Sequence, residues 1–421
     1  MISILQKNQE NLFSFGATSC RAAGRFLLVF LASLLLTKYE FGIFNIFLSI
    51  YFFSRLFSEN SLNLPFIKFA TDGENEPPLV SFHIILLKIF YVLVVSVALL
   101  VFSGHIVDYT GLERRGLLFI LPFTLLALTF YMFVGQVLIC QIRMRLLFFY
   151  ELLNCLVFIL VMVIAFFVDG SFSTEKLVMI FSVSMGVAAL VGFLVFKRFI
   201  VVVPRLRKQL LWKIVHYSKF TTLSGISSLM ILRSDVLMLG YFLTPKEVGI
   251  YGMALFVNEA VNVVFDSVLR ICLPKASALS GADDGGASIR MLLRQSVRNI
   301  YIGIVPIVLI IAVAAPTVVN LVYKGRYDDS ILLIYLFLAA SIIKPLGYVS
   351  GVILGATGNI RIDNRNNWIV ALLNVFCNYL LIPRIGVMGA ALASLLSFAC
   401  LTVLNYFSVR KTLFCTKKQT R

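Results

Sequence analysis

The chain has 421 residues, of which 60% are hydrophobic and only 14% charged, with a mean hydropathy of +0.95 and a formal net charge of +17. So much apolar surface excludes a water-soluble globular protein of this length. The positive excess is spread over short connections and forms no aromatic-interleaved patch, which excludes nucleic acid as the partner and leaves the bilayer.

Apolar runs of roughly 17 to 25 residues, each able to cross about 30 Å of hydrocarbon as a helix, recur along the whole chain. The first, 13–36, contains "SCRAAGR", in which Arg21 and Arg25 stand four residues apart on one helical face with Gly24 keeping that face thin. A charge near the bilayer centre costs about 2.5 to 3.5 kcal/mol, so this pair is expected to line a water-filled cavity as an anion site. Arg21, the shallower of the two, can also be read as snorkelling to headgroups. No small-residue cleavage site follows this run, which reads as a retained helix and not a signal peptide.

The second span, 41–64, carries Arg55 and Glu59 at i, i+4, readable equally as a self-neutralising pair or as functional groups. In the third, 82–104, Lys88 lies near the start and is expected to snorkel. The fourth is 117–140, and in the fifth, 146–168, Glu151 is expected to pair with Arg143 or Arg145 across the preceding connection. The sixth is 176–197. The basic segment from Lys197 to Lys219, with Trp212 among Leu and Ile, reads as a surface helix resting on anionic headgroups.

The seventh span, 219–243, contains Arg233 and Asp235, too close in sequence to pair on one helix. The eighth, 248–273, has a polar stripe of Glu259, Asn262, Asp266 and Arg270, where Asp266 with Arg270 is again readable as a neutral pair. The ninth is 299–323. In the tenth, 330–354, Lys344 precedes Pro345 and Gly347, a combination that predicts a broken helix lining a cavity. The last two are 366–383 and 386–409.

"LTKYEFGIF" (36–44) aligns with "LTPKEVGIY" (243–251) at an offset that also places Arg25 within one position of Arg233. The expected fold is therefore an all-α integral membrane protein with about twelve transmembrane helices. They form two six-helix lobes, 1–204 and 205–421, related by a pseudo-two-fold axis along the membrane normal and facing a central cavity. With the N-terminus in the cytoplasm, most of the 37 Lys and Arg fall in connections on that side, so both termini are expected there. Cations exceed carboxylates at membrane depth, which suits an anionic cargo and argues against an exporter of cationic drugs. Seven unclustered Cys and three isolated His offer neither a disulfide framework nor a metal site. No GxxxxGK[ST] loop is present, so no cofactor or ATP is expected, and an ion gradient is the default energy source. Buried carboxylates hold protons well, making Asp235, Glu59, Glu259 and Asp266 the ion-coupling candidates.

"RSDVLMLGYFLTPKEVGIYGMA" (233–254), "LPKASAL" (273–279), "LVYKGRY" (321–327) and "LLIPRIGVMGAALASLLSF" (380–398) together resemble the Wzx-type O-antigen and polysaccharide flippases of the multidrug/oligosaccharidyl-lipid/polysaccharide exporter superfamily. "CRAAGR" and "SRLFSEN" are similar to the first two helices of the related lipid II flippases, which carries Arg21, Arg25, Arg55 and, in the eighth span, Arg270 over as site candidates; Arg233 and Lys344 complete the cationic set. The resemblance implies a non-enzymatic carrier of undecaprenyl-pyrophosphate-linked oligosaccharide from the cytoplasmic to the periplasmic leaflet of a bacterial inner membrane. Candidate partners are an O-antigen polymerase and a chain-length regulator. An ion-coupled drug exporter and a lipid II flippase remain alternatives within the superfamily. A membrane-embedded polymerase or glycosyltransferase would show a large outer loop or clustered acids, and the sequence has neither.

Overall fold

A computed structural model describes residues 2–168, 170–279 and 286–415; within these, the side chains of residues 2–9, 11, 60, 263, 264, 266, 267, 270 and 413–415 are not described. All regular structure among the described residues is helical. Eleven segments are long and apolar enough to cross a bilayer, and a further 35-residue helix, Pro245–Leu279, stands outside that count. The protein is thus an all-helical, multi-pass membrane protein.

The chain forms two compact units, Met1–Ile226 and Ser227–Arg421. The first holds α1 (Ile2–Leu35), α2 (Lys38–Arg55), α3 (Ser61–Thr71), α4 (Pro77–Val101), the short α5 (Ser103–Thr110), α6 (Gly116–Cys140), α7 (Met144–Val168) and α8 (Thr174–Phe196). Here α1 packs on α7, α6 on α8, and α4 on both α3 and α6. The core gathers Leu62, Phe66, Phe133 and Val137, with the Phe66 and Phe133 rings stacked at 5.8 Å. α9 (Lys208–Phe242) runs without a break through the boundary between the units. The second unit continues with α10 (Pro245–Leu279), α11 (Ala287–Tyr323), α12 (Ile331–Ala356), α13 (Ile360–Ile385) and α14 (Val387–Val409). There α12 packs on α10, α11 and α14, and α13 on α14, around Ile231, Ala340, Val370 and Phe398.

The two copies of the repeated motif do the same local work. Thr37 precedes α2, and its Oγ1 accepts from the Glu40 N–H at 3.2 Å. Thr244 precedes α10, and its N–H and hydroxyl both donate to the Glu247 carboxylate, at 3.0 and 2.9 Å. Each Thr-x-x-Glu satisfies amide groups that the first helical turn leaves without partners. In the first unit Glu40 has further work: with Glu175 it receives Arg114, and it accepts from Thr174, which ties the starts of α2 and α8 to the connection before α6.

Three local expectations are corrected. The segment from Lys197 to Lys219 is not a separate surface helix: residues 200–207 are non-helical, and from Lys208 the chain is already in the first turns of α9. Pro204, which cannot donate a helical hydrogen bond, lies in the non-helical stretch, and Trp212 stays exposed on α9. The tenth span is not broken at Pro345, since α12 continues to Ala356. α14 supports it there: Thr402 donates to the Ile343 carbonyl at 3.2 Å and Asn405 to the Gly347 carbonyl at 3.3 Å. Gly347 serves this close approach, because a Cβ on it would fall 2.7 Å from the Thr402 Cα. The second span, in contrast, is interrupted where no break was expected, by a wide π turn at Leu56–Asn60.

Gly389, at the start of α14, faces the end of α13 so closely that a Cβ would meet the Leu381 carbonyl at 2.5 Å. Backbone cannot yield as a side chain does. Gly389→Ala is therefore expected to lower stability by about 1–3 kcal/mol, read as a fall in the melting temperature of the detergent-purified protein; an unchanged melting temperature would refute the close contact.

Candidate functional site

In the first unit α1, α6 and α7 bring together Arg21, Tyr131 and Glu151. Arg21 donates through Nε to Glu151 Oε1 at 2.9 Å and through Nη2 to the same oxygen, while the Tyr131 hydroxyl donates to Oε2. Tyr150 closes the group by donating to the Tyr131 carbonyl at 3.2 Å. Glu151 is 1% exposed, so the Arg21 charge neutralises a carboxylate that would otherwise be buried alone. The expected pairing of Glu151 with Arg143 or Arg145 is corrected. Those two remain at the start of α7, with Arg143 over the Phe199 ring at 4.1 Å and Arg145 near Phe13, whereas Glu151 lies two turns deeper.

One turn beyond Arg21, Arg25 is exposed. It lies within electrostatic reach of the buried Tyr51, as do Arg55 at the end of α2 and Glu59 in the π turn. Arg55 lies over the Tyr51 and Phe52 rings, 5.8 and 5.4 Å from their centroids. Glu59 does not pair with Arg55. It receives Lys88 of α4, whose Nζ donates to Glu59 Oε2 at 2.8 Å and to Asn63 Oδ1 at 2.9 Å. Both partners are buried, 0% and 1% exposed, so Lys88 does not snorkel. Glu59 lies in the π turn, against which α4 packs. The turn itself is held from α9: Thr221 donates to the Ser61 carbonyl at 2.9 Å and Thr222 to its hydroxyl at 2.7 Å. Glu59 Oε1 is buried without a hydrogen bond.

In the second unit Arg233 of α9 is ion-paired through Nη2 with Glu259 of α10, with 12% and 45% of their side chains exposed. Two positions on, Asp235 is buried. Its Oδ2 accepts from the Tyr251 hydroxyl and from Ser394 at 3.4 Å, and its Oδ1 from the Val236 N–H at 2.8 Å. Lys344 of α12 is 2% exposed, lies 4.1 Å from the centre of the Phe398 ring and donates to Asn258 Oδ1 at 3.5 Å; the same oxygen accepts from Ser341 at 3.0 Å. Asp266 and Arg270 lie on α10, but their side chains are outside the described residues.

The structure thus sets Arg55 over Tyr51 with Arg25 within electrostatic reach, pairs Glu59 with Lys88, places Arg21 in a separate network with Glu151, pairs Arg233 with Glu259, and sets Asp235 and Lys344 in two further polar groups. Sequence reasoning passed over Tyr51, Tyr131, Tyr251, Asn258 and the pairing role of Lys88. Only Tyr251, the last letter of the repeated motif, carried a usable signal. Taken as chemistry, the groups are guanidinium and ammonium side chains set beside buried or half-buried carboxylates, phenols and amides.

The family described as polysaccharide biosynthesis protein matches residues 31–332. Over 190 residues the chain is 26% identical to the probable low-salt glycan biosynthesis flippase Agl15 of Haloferax volcanii, covering 45% of this chain and 40% of that protein. Over 283 residues it is 20% identical to an uncharacterized membrane protein of Methanocaldococcus jannaschii, covering 64% and 54%. The chain therefore spans about half the length of the curated relatives it matches. The fold is similar to an inward-facing multidrug resistance transporter of the MATE family in the MOP superfamily, with a TM-score of 0.82, 12% identity and coverage of 97% of this chain and 100% of that one. It is also similar to the lipid II flippase MurJ in an inward closed conformation, with a TM-score of 0.76, 14% identity and coverage of 95% and 87%. At such identities these two likenesses speak for the fold alone.

Proposed function

Because the chain belongs to the polysaccharide biosynthesis protein family, we propose that it is a flippase that carries a lipid-linked oligosaccharide across the membrane. In the finer form of this reading the cargo is an O-antigen repeat unit on undecaprenyl pyrophosphate, moved from the cytoplasmic to the periplasmic leaflet of a bacterial inner membrane. No bond is broken. Arg25 supports the reading most directly: it is an exposed arginine within an apolar span, and like Arg55 it lies within electrostatic reach of Tyr51. An anionic diphosphate is the cargo chemistry that such groups fit.

Each unit contributes its own cations. In the first they are Arg25 and Arg55, with Arg21 acting through the Glu151 network, and in the second Arg233, Lys344 and Arg270. Glu59, Asp235, Glu259 and Asp266 are assigned to ion coupling. Displacing Lys88 from Glu59 or Arg233 from Glu259 would change the charge that each carboxylate presents to a proton or sodium ion.

The test is reconstitution. In proteoliposomes carrying a labelled undecaprenyl-pyrophosphate oligosaccharide, the protein should let the label cross, so that a membrane-impermeant glycosidase added outside eventually reaches all of it. Protein-free vesicles should leave about half protected. If the two preparations lose label equally, the flippase reading fails. Gradient-driven uptake of an organic cation dye by the same vesicles would instead support the alternative reading, an ion-coupled exporter of drugs.

A further inference from the structure

A second concentration of positive charge lies in the second unit, on residues that are not assigned to the cargo. α11 begins with Arg290, Arg294 and Arg298 at steps of four, a spacing that stacks them on one face over about 12 Å. Arg410 joins them at the end of α14, where the helix widens into a π turn, Arg410–Cys415. The four arginines line one open cavity of about 920 Å³ together with Tyr301 and Tyr406. Among the described residues lining it none is acidic. At its inner side the Tyr301 hydroxyl donates to the Ile342 carbonyl at 2.9 Å, fixing α11 to α12.

Four guanidiniums around one cavity repel one another, and an anion that accepts from several of them relieves that repulsion. Arginine suits phosphate because its planar fork donates two parallel hydrogen bonds. The surroundings indicate that the phosphate belongs to a lipid. From the cavity the outer face of α11 continues as Ile302, Val305, Leu309 and Val313, at steps of three and four. These side chains are 66%, 40%, 60% and 80% exposed. A headgroup in the cavity would therefore have apolar surface beside it for its chains. A soluble phosphate would have no use for that strip.

We infer that the arginine-lined cavity between the start of α11 and the end of α14 binds the phosphate headgroup of an anionic membrane lipid. Its occupant is a resident lipid and not the transported cargo. On the topology expected from the sequence, the site faces the cytoplasmic leaflet, where basic pockets between membrane helices meet anionic headgroups. Bound there, the lipid would join the start of α11 to the end of α14 through the arginines they present.

The experiment is native mass spectrometry of the full-length, detergent-purified protein offered equal amounts of phosphatidylglycerol and phosphatidylcholine with identical chains. The expected result is retention of one phosphatidylglycerol at least about tenfold over phosphatidylcholine, weakening as ionic strength rises and screens the contact. The variant Arg294→Gln/Arg298→Gln/Arg410→Gln should lose the preference, whereas Arg205→Gln/Arg207→Gln, in the basic stretch before α9, should keep it. Equal retention of the two lipids by the unaltered protein would overturn the inference, as would a preference indifferent to salt or unchanged in the triple variant. Displacement of the lipid by an equal concentration of inorganic phosphate or pyrophosphate would also overturn it, because it would mark a site for a soluble anion. The salt series needs only the unaltered protein, so the test stands even if the triple variant does not fold. None of these measurements reads transport, so their outcome is separate from that of the glycosidase assay.

Discussion

Arg25→Ala is expected to cut polysaccharide at the cell surface by about ten- to hundredfold, the loss of one charge-assisted contact to a phosphate, while the protein still accumulates in the membrane at normal levels. Arg233→Ala should do the same. Arg25 is exposed, and the Glu259 left behind by Arg233→Ala is 45% exposed and can be hydrated. Arg21→Ala provides the contrast, since it leaves Glu151 buried with only the Tyr131 hydroxyl, so loss of protein should accompany loss of display. Lysine at 25 or 233 should rescue in part if a point charge suffices, and poorly if two parallel hydrogen bonds are needed. The measurements are surface glycan by antibody or lectin staining and membrane abundance by immunoblot. Normal display in both alanine variants would remove the assignment of these arginines to the cargo.

Lys88→Ala is expected to be the most damaging single substitution in the first unit, lowering stability by about 3–5 kcal/mol. The reason is the carboxylate it leaves behind. Glu59 is 1% exposed, its second oxygen already lacks a hydrogen bond, and Lys88 is its only ion-pair partner among the described residues. Replacing both, as Lys88→Met/Glu59→Leu, should restore much of the stability because no unpaired charge remains, and it should not restore transport if Glu59 handles an ion. Thermal unfolding in detergent checks the first statement and surface glycan the second. A Lys88→Ala protein as stable as its parent would show that the pair contributes nothing to the fold.

The membrane spans and the repeated motif were legible because both are local. An apolar run of sufficient length declares itself, and Thr37 with Glu40, like Thr244 with Glu247, needs only four residues to be recognised as a helix start. Partner choice was not legible. Lys88 meets a carboxylate 29 positions away, and Arg21 one 130 positions away, separations that only the packing of α4 beside the π turn and of α1 on α7 can define. Sequence neighbours suggested Arg55 for Glu59 and Arg143 or Arg145 for Glu151, and the fold preferred distant helices in both cases. Prolines misled in the same way: Pro345 looked like a break, yet α12 runs on through it, packed against α14. Where the helix does change, at Leu56–Asn60, no proline or glycine marks it.

The wide turn at Leu56–Asn60 makes the number of residues in that stretch matter as much as their kinds. A π turn holds one residue more than the α turn it replaces, so shortening the stretch by one would let it close to α geometry and leave each downstream side chain near its present bearing. Lengthening it by one would instead spin everything downstream by about 100°, so that each side chain takes the bearing now held by its successor. Lys68 would be driven in to where Phe69 points, and Asn63 would swing out to the place of Leu64. A single-codon insertion there would scramble the whole of α3 without altering one letter of it.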